Sequence, residues 1–89
     1  MREVVTQGIR DYIVNTWLSG DPRGFHDDTD LQETGILDSF STLALAAFLE
    51  KTFSTQLEPS EINGDTFRSV QTLTQLVLER RTSSLEQRT

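Results

Sequence analysis

The sequence predicts an all-α fold: a small helical bundle of three main helices plus one short helix, with a long loop between the first and second. Three observations carry that expectation. Apolar residues recur at three- and four-residue spacing in three separate stretches. Turn chemistry built on Gly and Pro separates those stretches. No segment sustains the apolar and polar alternation that builds a sheet, and no internal repeat or low-complexity block occurs. Periodicity leaves the handedness of the bundle open. A chain of 89 residues has room for one domain. At this length folding buries about 60 to 65% of the surface that the unfolded chain exposes, so stability is expected to be ordinary or marginal.

The first helix is read over residues 3 to 18. Val5, Ile9 and Ile13 fall at four-residue spacing with Trp17 next on the same line, flanked by Val4, Tyr12 and Leu18. Gly8 weakens it, and Ser19-Gly20-Asp21-Pro22 stops it. The connection over 19 to 38 is long for so small a domain and needs something to pack it down. Phe25, Leu31 and Ile36 are the candidates.

Residues 35 to 53 read as a turn followed by a helix, and the rest of the chain is organised around them. Gly35 permits a tight turn, either Asp38 or Ser39 caps the helix, and Leu45, Leu49 and Phe53 line one face. Phe40, Leu43, Ala44 and Ala47 form a second apolar set round the cylinder. The first face suits a core and the second a partner, with Phe40 and Ala44 expected to be exposed. Burial on two sides is the alternative.

After Leu57, Glu58-Pro59-Ser60-Glu61-Ile62 places proline in the first turn of a short helix that Asn63-Gly64-Asp65 ends. Phe67 is expected to plug the core. Ser69 then caps a last helix whose stripe is Val70, Leu73 and Val77, widened by Leu76. The domain is expected to span residues 1 to 81, with 82 to 89 a polar, frayed tail.

In the order Gly35-Ile36-Leu37-Asp38-Ser39-Phe40, opening an amphipathic helix behind acidic residues, the chain resembles the acyl and peptidyl carrier proteins. With Thr42 following, it is most similar to the D-alanyl and aminoacyl carriers. The short Pro-led helix and the Ser-Val start of the last helix extend the resemblance over most of the chain. What it implies is specific. Ser39 would carry 4'-phosphopantetheine through a phosphodiester. Asp38 would help the phosphopantetheinyl transferase by contributing to a magnesium site, with no metal held in the resting protein. An acyl- or aminoacyl-activating ligase would load the arm, and a downstream transferase or synthase would take the cargo. Phe40, Leu43, Ala44, Ala47 and Glu50 would face these partners. On that face the sequence departs from the strongly acidic second helix of fatty-acid carriers, because Glu50 is its one carboxylate and Lys51 follows. Recognition is therefore expected to be more apolar, which favours an aminoacyl, D-alanyl or secondary-metabolite pathway. Physical chemistry agrees with the placement: a helix N-terminus presents unpaired N–H groups and the positive end of its dipole, worth roughly 0.3 to 1 kcal/mol to an exposed anion.

Charge and composition set outer bounds. A net charge of -6 opposes nucleic-acid phosphates and anionic lipid, and steers basic protein surfaces toward the chain. Asp21, Asp27, Asp28, Asp30, Glu33 and Asp38 gather ahead of Ser39. They read either as a docking surface for basic partners or as turn chemistry. The absence of cysteine is compatible with a reducing cytoplasm, where the protein is expected to act as a monomer. No run approaches the roughly 18 apolar residues of a membrane span, and the first residues lack the apolar block of a signal peptide.

Rival chemistries fail on detail. His26, Ser39 and an aspartate suggest a hydrolase triad, but there is no Gly-x-Ser-x-Gly elbow and no spare chain for an oxyanion hole, so no enzyme is expected. Asp28, Asp30 and Gln32 suggest a calcium loop, but Glu33 stands where that loop needs glycine and Ser39 where it needs glutamate. The remaining alternative is an acidic helical protein-interaction module without a prosthetic group. It fits the composition and gives no reason for a serine after Gly35-Ile36-Leu37-Asp38.

Overall fold

In the computed structural model, residues 2 to 88 are described, with side chains from 2 to 80. Three α-helices form: α1 at Arg2–Trp17, α2 at Ser39–Thr52 and α3 at Val70–Arg88, with a one-turn 3-10 helix at Pro59–Glu61 before α3. Among the described residues there is no strand. The all-α bundle with its long first connection is the architecture the periodicity predicts; α1 lies one residue earlier than expected at each end, and α3 runs on to Arg88 through the stretch expected as a tail. The polar tail expected over 82 to 89 lies outside the residues whose side chains are described.

α1 buries Val5, Ile9 and Ile13 completely, as their four-residue spacing requires. Trp17, expected on the same stripe, is half-buried. It sits edge-on to Tyr12 at 5.6 Å, and Tyr12 in turn stacks on Phe48 of α2 at 4.0 Å. Ser19 and Gly20, at φ 55° and 79°, turn the chain back so that the Gly20 N–H donates to Val14 O. Gly8 has a packing reason: a Cβ there would meet Cζ of Phe53 at 3.2 Å, so its bare backbone lets the end of α2 lie close against α1.

The long loop is fastened at several points. Phe25 and Leu31, two of the three expected anchors, are buried in the core with Leu37, and the third, Ile36, is half-buried and packs against it. A left-handed Gly35 (φ 79°) lets the chain turn there, and the Leu37 N–H donates to Leu31 O. The guanidinium of Arg10 on α1 lies 4.6 Å from the Phe25 ring centre and donates to Phe25 O and to Asp27 Oδ1, each at 3.0 Å. On the far side the loop reaches α3. Asp27 O accepts from the Gln71 N–H in the first turn of α3, and the Leu31 N–H donates to Arg68 O. An orphan donor at a helix start is thus satisfied by the loop.

The Pro-led helix is a single 3-10 turn, with Glu61 Oε1 accepting from the Glu58 N–H and an ion pair from Glu61 to Arg80 of α3. Asn63 closes it, donating to Ser60 O and accepting from the Thr66 N–H. Phe67 follows at 0% exposure, the core plug that the sequence suggests. Ser69 caps α3, its Oγ accepting from the Thr72 N–H, and Val70, Leu73, Leu76 and Val77 are buried. Thr74, not expected in the core, is buried beside them and meets the Thr6 hydroxyl of α1 at 2.9 Å.

Candidate functional site

α2 begins at Ser39 because Asp38 caps it. Asp38 has extended backbone angles, its Oδ1 accepts from the Ser41 N–H at 2.8 Å, and its carbonyl accepts from the Thr42 N–H and hydroxyl. Both candidate caps were compatible with the sequence; the fold assigns the role to Asp38 and leaves Ser39 in the first helical position. The Ser41 N–H bond, with a smaller contribution from the Ser41 hydroxyl, holds the Asp38 carboxyl below the ordinary carboxylate range. A fixed anion therefore stands beside Ser39.

Ser39 is exposed, and its Oγ makes no hydrogen bond to another described residue. On one side of it stands the exposed part of α2. Phe40 is 81% and Leu43 59% exposed, and Ala47 is exposed with them. Ala44 departs from expectation and is half-buried. It lies four residues from both Phe40 and Phe48 along one helical row, so larger side chains shade its methyl group. Glu50 departs too. It is half-buried, and its carboxylate accepts from the Leu57 N–H at 3.0 Å, fastening the turn after α2.

Ser39 also borders an open cleft of about 300 Å³, lined by Gln32, Ser39, Thr42, Leu43, Ile62, Asn63 and Gly64, so that Leu43 belongs to both. Sequence reasoning missed it, because it joins the first loop to the segment after the 3-10 helix, residues some thirty positions apart. The one hint available was the amide pair Gln32 and Asn63, and polar loop residues of that kind carry little signal alone. The loop carboxylates are largely occupied by turn chemistry. Asp21 pairs with Arg23, whose side chain and backbone N–H lower its pKa; Asp27 takes Arg10; Asp30 Oδ1 accepts from the N–H groups of Gln32 and Glu33. His26 is exposed on the loop, its backbone N–H donating to Thr29. Among the described residues no cluster of His, Cys, Asp or Glu could hold a metal ion, and no helix is long and apolar enough to cross a membrane.

This donor set fits the group that the resemblance implies. A phosphodiester on Ser39 would lie against the start of α2, where the helix dipole favours negative charge. The hydroxyl is reachable from solvent, and the amide-lined cleft beside it offers hydrogen bonds and an apolar wall to a flexible chain attached there.

Comparison with known proteins names the same group. The family model described as the phosphopantetheine attachment site matches residues 12–77, from within α1 through the loop and α2 into α3. No curated protein matches the chain. Proteins of the matched family carry 4'-phosphopantetheine covalently on a serine, and the carrier domain is not itself the catalyst. They work with the transferase that installs the arm and with enzymes of synthesis. The match covers most of the chain and takes in the capped start of α2, so this protein belongs to the phosphopantetheine attachment-site family and is a phosphopantetheine-carrying carrier protein.

Proposed function

We propose that Ser39 is the residue that carries the arm, and that the protein presents an acyl or aminoacyl thioester to successive enzymes. The observation that carries this is the solvent-exposed Ser39 hydroxyl in the first position of α2, beside the capping carboxylate of Asp38. The other serines within the matched span are worse placed. Ser69 is buried and caps α3, Ser41 is half-buried, Ser19 and Ser54 sit in left-handed turn positions, and Ser60 lies in the 3-10 turn.

When bound, the group supplies a terminal thiol able to hold a carboxylic or amino acid as a thioester. The chain's own residues do the rest. Ser39 Oγ attacks the phosphorus of coenzyme A that bears the pantetheine, gives its proton to a base on the transferase and displaces adenosine 3',5'-bisphosphate, so that one P–O bond forms as the pyrophosphate P–O bond breaks. Asp38 holds the first turn of α2 and offers its carboxylate to the magnesium ion of the transferase complex. Phe40, Leu43 and Ala47, with Ala44 behind them, form the surface that the transferase, the activating ligase and the downstream transferase or synthase touch. Glu50 contributes by fixing the turn beneath that surface. Each contact is weak enough to release, because the arm supplies local concentration once a partner has docked.

The test is direct. Incubation with a broad-specificity phosphopantetheinyl transferase and coenzyme A adds one arm to the wild-type chain and none to Ser39→Ala, read by intact mass. Equal labelling of the variant refutes the site.

A further inference from the structure

The turn that closes the 3-10 helix carries the pair Asn63-Gly64, and both residues are exposed. Asn63 Nδ2 donates to Ser60 O at 2.6 Å and Oδ1 accepts from the Thr66 N–H at 2.9 Å, which fixes the amide's orientation, since only the nitrogen can donate. The second bond draws electron density from the side-chain carbonyl and leaves Cγ more open to attack. Next in the chain stands the Gly64 N–H, which has no partner among the described residues. Gly64 also lacks the Cβ that would crowd an approach of its nitrogen to the preceding side chain. Asn15, the chain's other asparagine, lies inside α1 ahead of β-branched Thr16, whose N–H belongs to the helical ladder. An electrophile and a free nucleophile are therefore neighbours at 63 and 64 alone.

We propose that Asn63 is a site of spontaneous deamidation, and that the product loosens the 3-10 turn bordering the cleft beside Ser39. Gly64 N gives its proton to solvent hydroxide and attacks Asn63 Cγ, so that an N–C bond forms and the carbonyl electron pair moves onto Oδ1, where the Thr66 N–H receives the charge. The pair returns, the Cγ–Nδ2 bond breaks, and Nδ2 takes a proton from water and leaves as ammonia. A cyclic imide then joins residues 63 and 64. Water opens it at either carbonyl, giving aspartate or isoaspartate, so the net change is one water taken up and one ammonia lost. Either product replaces the amide donor by a carboxylate, which cannot donate to Ser60 O at neutral pH. Two acceptors then face each other where a hydrogen bond closed the turn. Asn63 and Gly64 also line the cleft that borders Ser39, so negative charge enters it. The chemistry is independent of what Ser39 carries.

The experiment keeps the full folded chain in warm neutral buffer beside a synthetic peptide spanning residues 60 to 68, which serves as the clock. While the peptide converts, the folded chain gains the mass difference between an amide and an acid. Peptide mapping places the gain at Asn63, and an isoaspartate-specific methyltransferase labels it there. Gly64→Ala, whose Cβ would make only ordinary contact with Gln32 at 3.6 Å, keeps both Asn63 bonds and slows the conversion several-fold. A folded chain that gains no mass while the peptide converts, a gain mapped to Asn15 or to a glutamine, or equal rates in wild type and Gly64→Ala overturns the site. Asn63→Asp installs one product directly. In that variant the Glu61 and Ile62 amides, which close the 3-10 turn onto Glu58 O and Pro59 O, exchange about fivefold faster, the factor for losing a single net hydrogen bond. Exchange equal to wild type overturns the loosening of the turn.

Discussion

At Asp38 one carboxylate serves as a helix cap and as the fixed charge beside Ser39, and pH separates the two roles. Folding lowers its pKa through the Ser41 N–H, so the cap's contribution is fully present above the ordinary carboxylate value of about 3.9. It is lost only as pH falls through the depressed folded value. The expected outcome is a Ser41 amide resonance that stays constant down to about pH 4 and titrates below it. In Asp38→Asn, which caps almost as well, that titration disappears and the melting temperature barely changes. Arm transfer to Asp38→Asn should nevertheless slow, because a neutral amide is a poor magnesium ligand; an unchanged transfer rate would confine Asp38 to capping. The neighbouring Phe40 gives the complementary case. At 81% exposure it contributes little to the core, so Phe40→Glu should leave the helical spectrum and melting temperature nearly intact while impairing loading by a ligase. These residues were legible because their spacing and type are local properties. The choice of cap was not, since Asp and Ser both cap well and only the backbone angles, extended at Asp38, show which of them sits outside the helix.

Between elements, what looked like weakness turns out to be contact. In isolation Gly8 costs α1 about 1 kcal/mol relative to alanine. In the bundle it admits the Phe53 ring, whose Cζ would stand 3.2 Å from an added Cβ. Gly8→Val should therefore destabilise by about 1 to 3 kcal/mol through overpacking, despite a better helix propensity, as measured by denaturant unfolding. Combining it with Phe53→Leu should recover part of that loss, which identifies the ring as the cause. The long loop teaches the same lesson. Its length argued against the assignment until the Arg10 guanidinium, the buried Phe25 and the Leu31 and Gln71 backbone bonds are seen to fasten it to α1 and α3. Arg10→Ala should cost about 1 to 2 kcal/mol, mostly through the Phe25 carbonyl and ring contacts, because an exposed ion pair to Asp27 adds little. Hydrogen exchange at the Leu31 and Gln71 amides should accelerate in that variant, since both bond across the loop.

For the molecule as a whole, one residue outside any helix ties the site to the core. The Phe67 ring is completely buried, its carbonyl accepts from Gln32 in the cleft, and its N–H donates to Asn63 O. The next carbonyl, of Arg68, accepts from the buried Leu31 of the first loop. Periodicity could mark Phe67 as an isolated apolar residue and hence a plug, but not that it spans the two segments forming the cleft beside Ser39; that requires long-range pairing, which no local pattern encodes. Phe67→Ala should cost about 3 to 5 kcal/mol, a large share of the 5 to 15 kcal/mol typical of a native domain. In a chain this short that lowers the melting temperature by more than about 10 °C. The informative comparison is with Phe40→Ala, which removes the same ring from the surface of α2 and should leave the melting temperature within a few degrees of wild type. If the two variants melted alike, the division of this molecule into a core that mounts Ser39 and a face that meets partners would be wrong. If Phe67→Ala alone melts early, and the Gln32 side-chain amide resonance moves with it at temperatures where α2 remains helical, then the cleft is held in shape by the core plug.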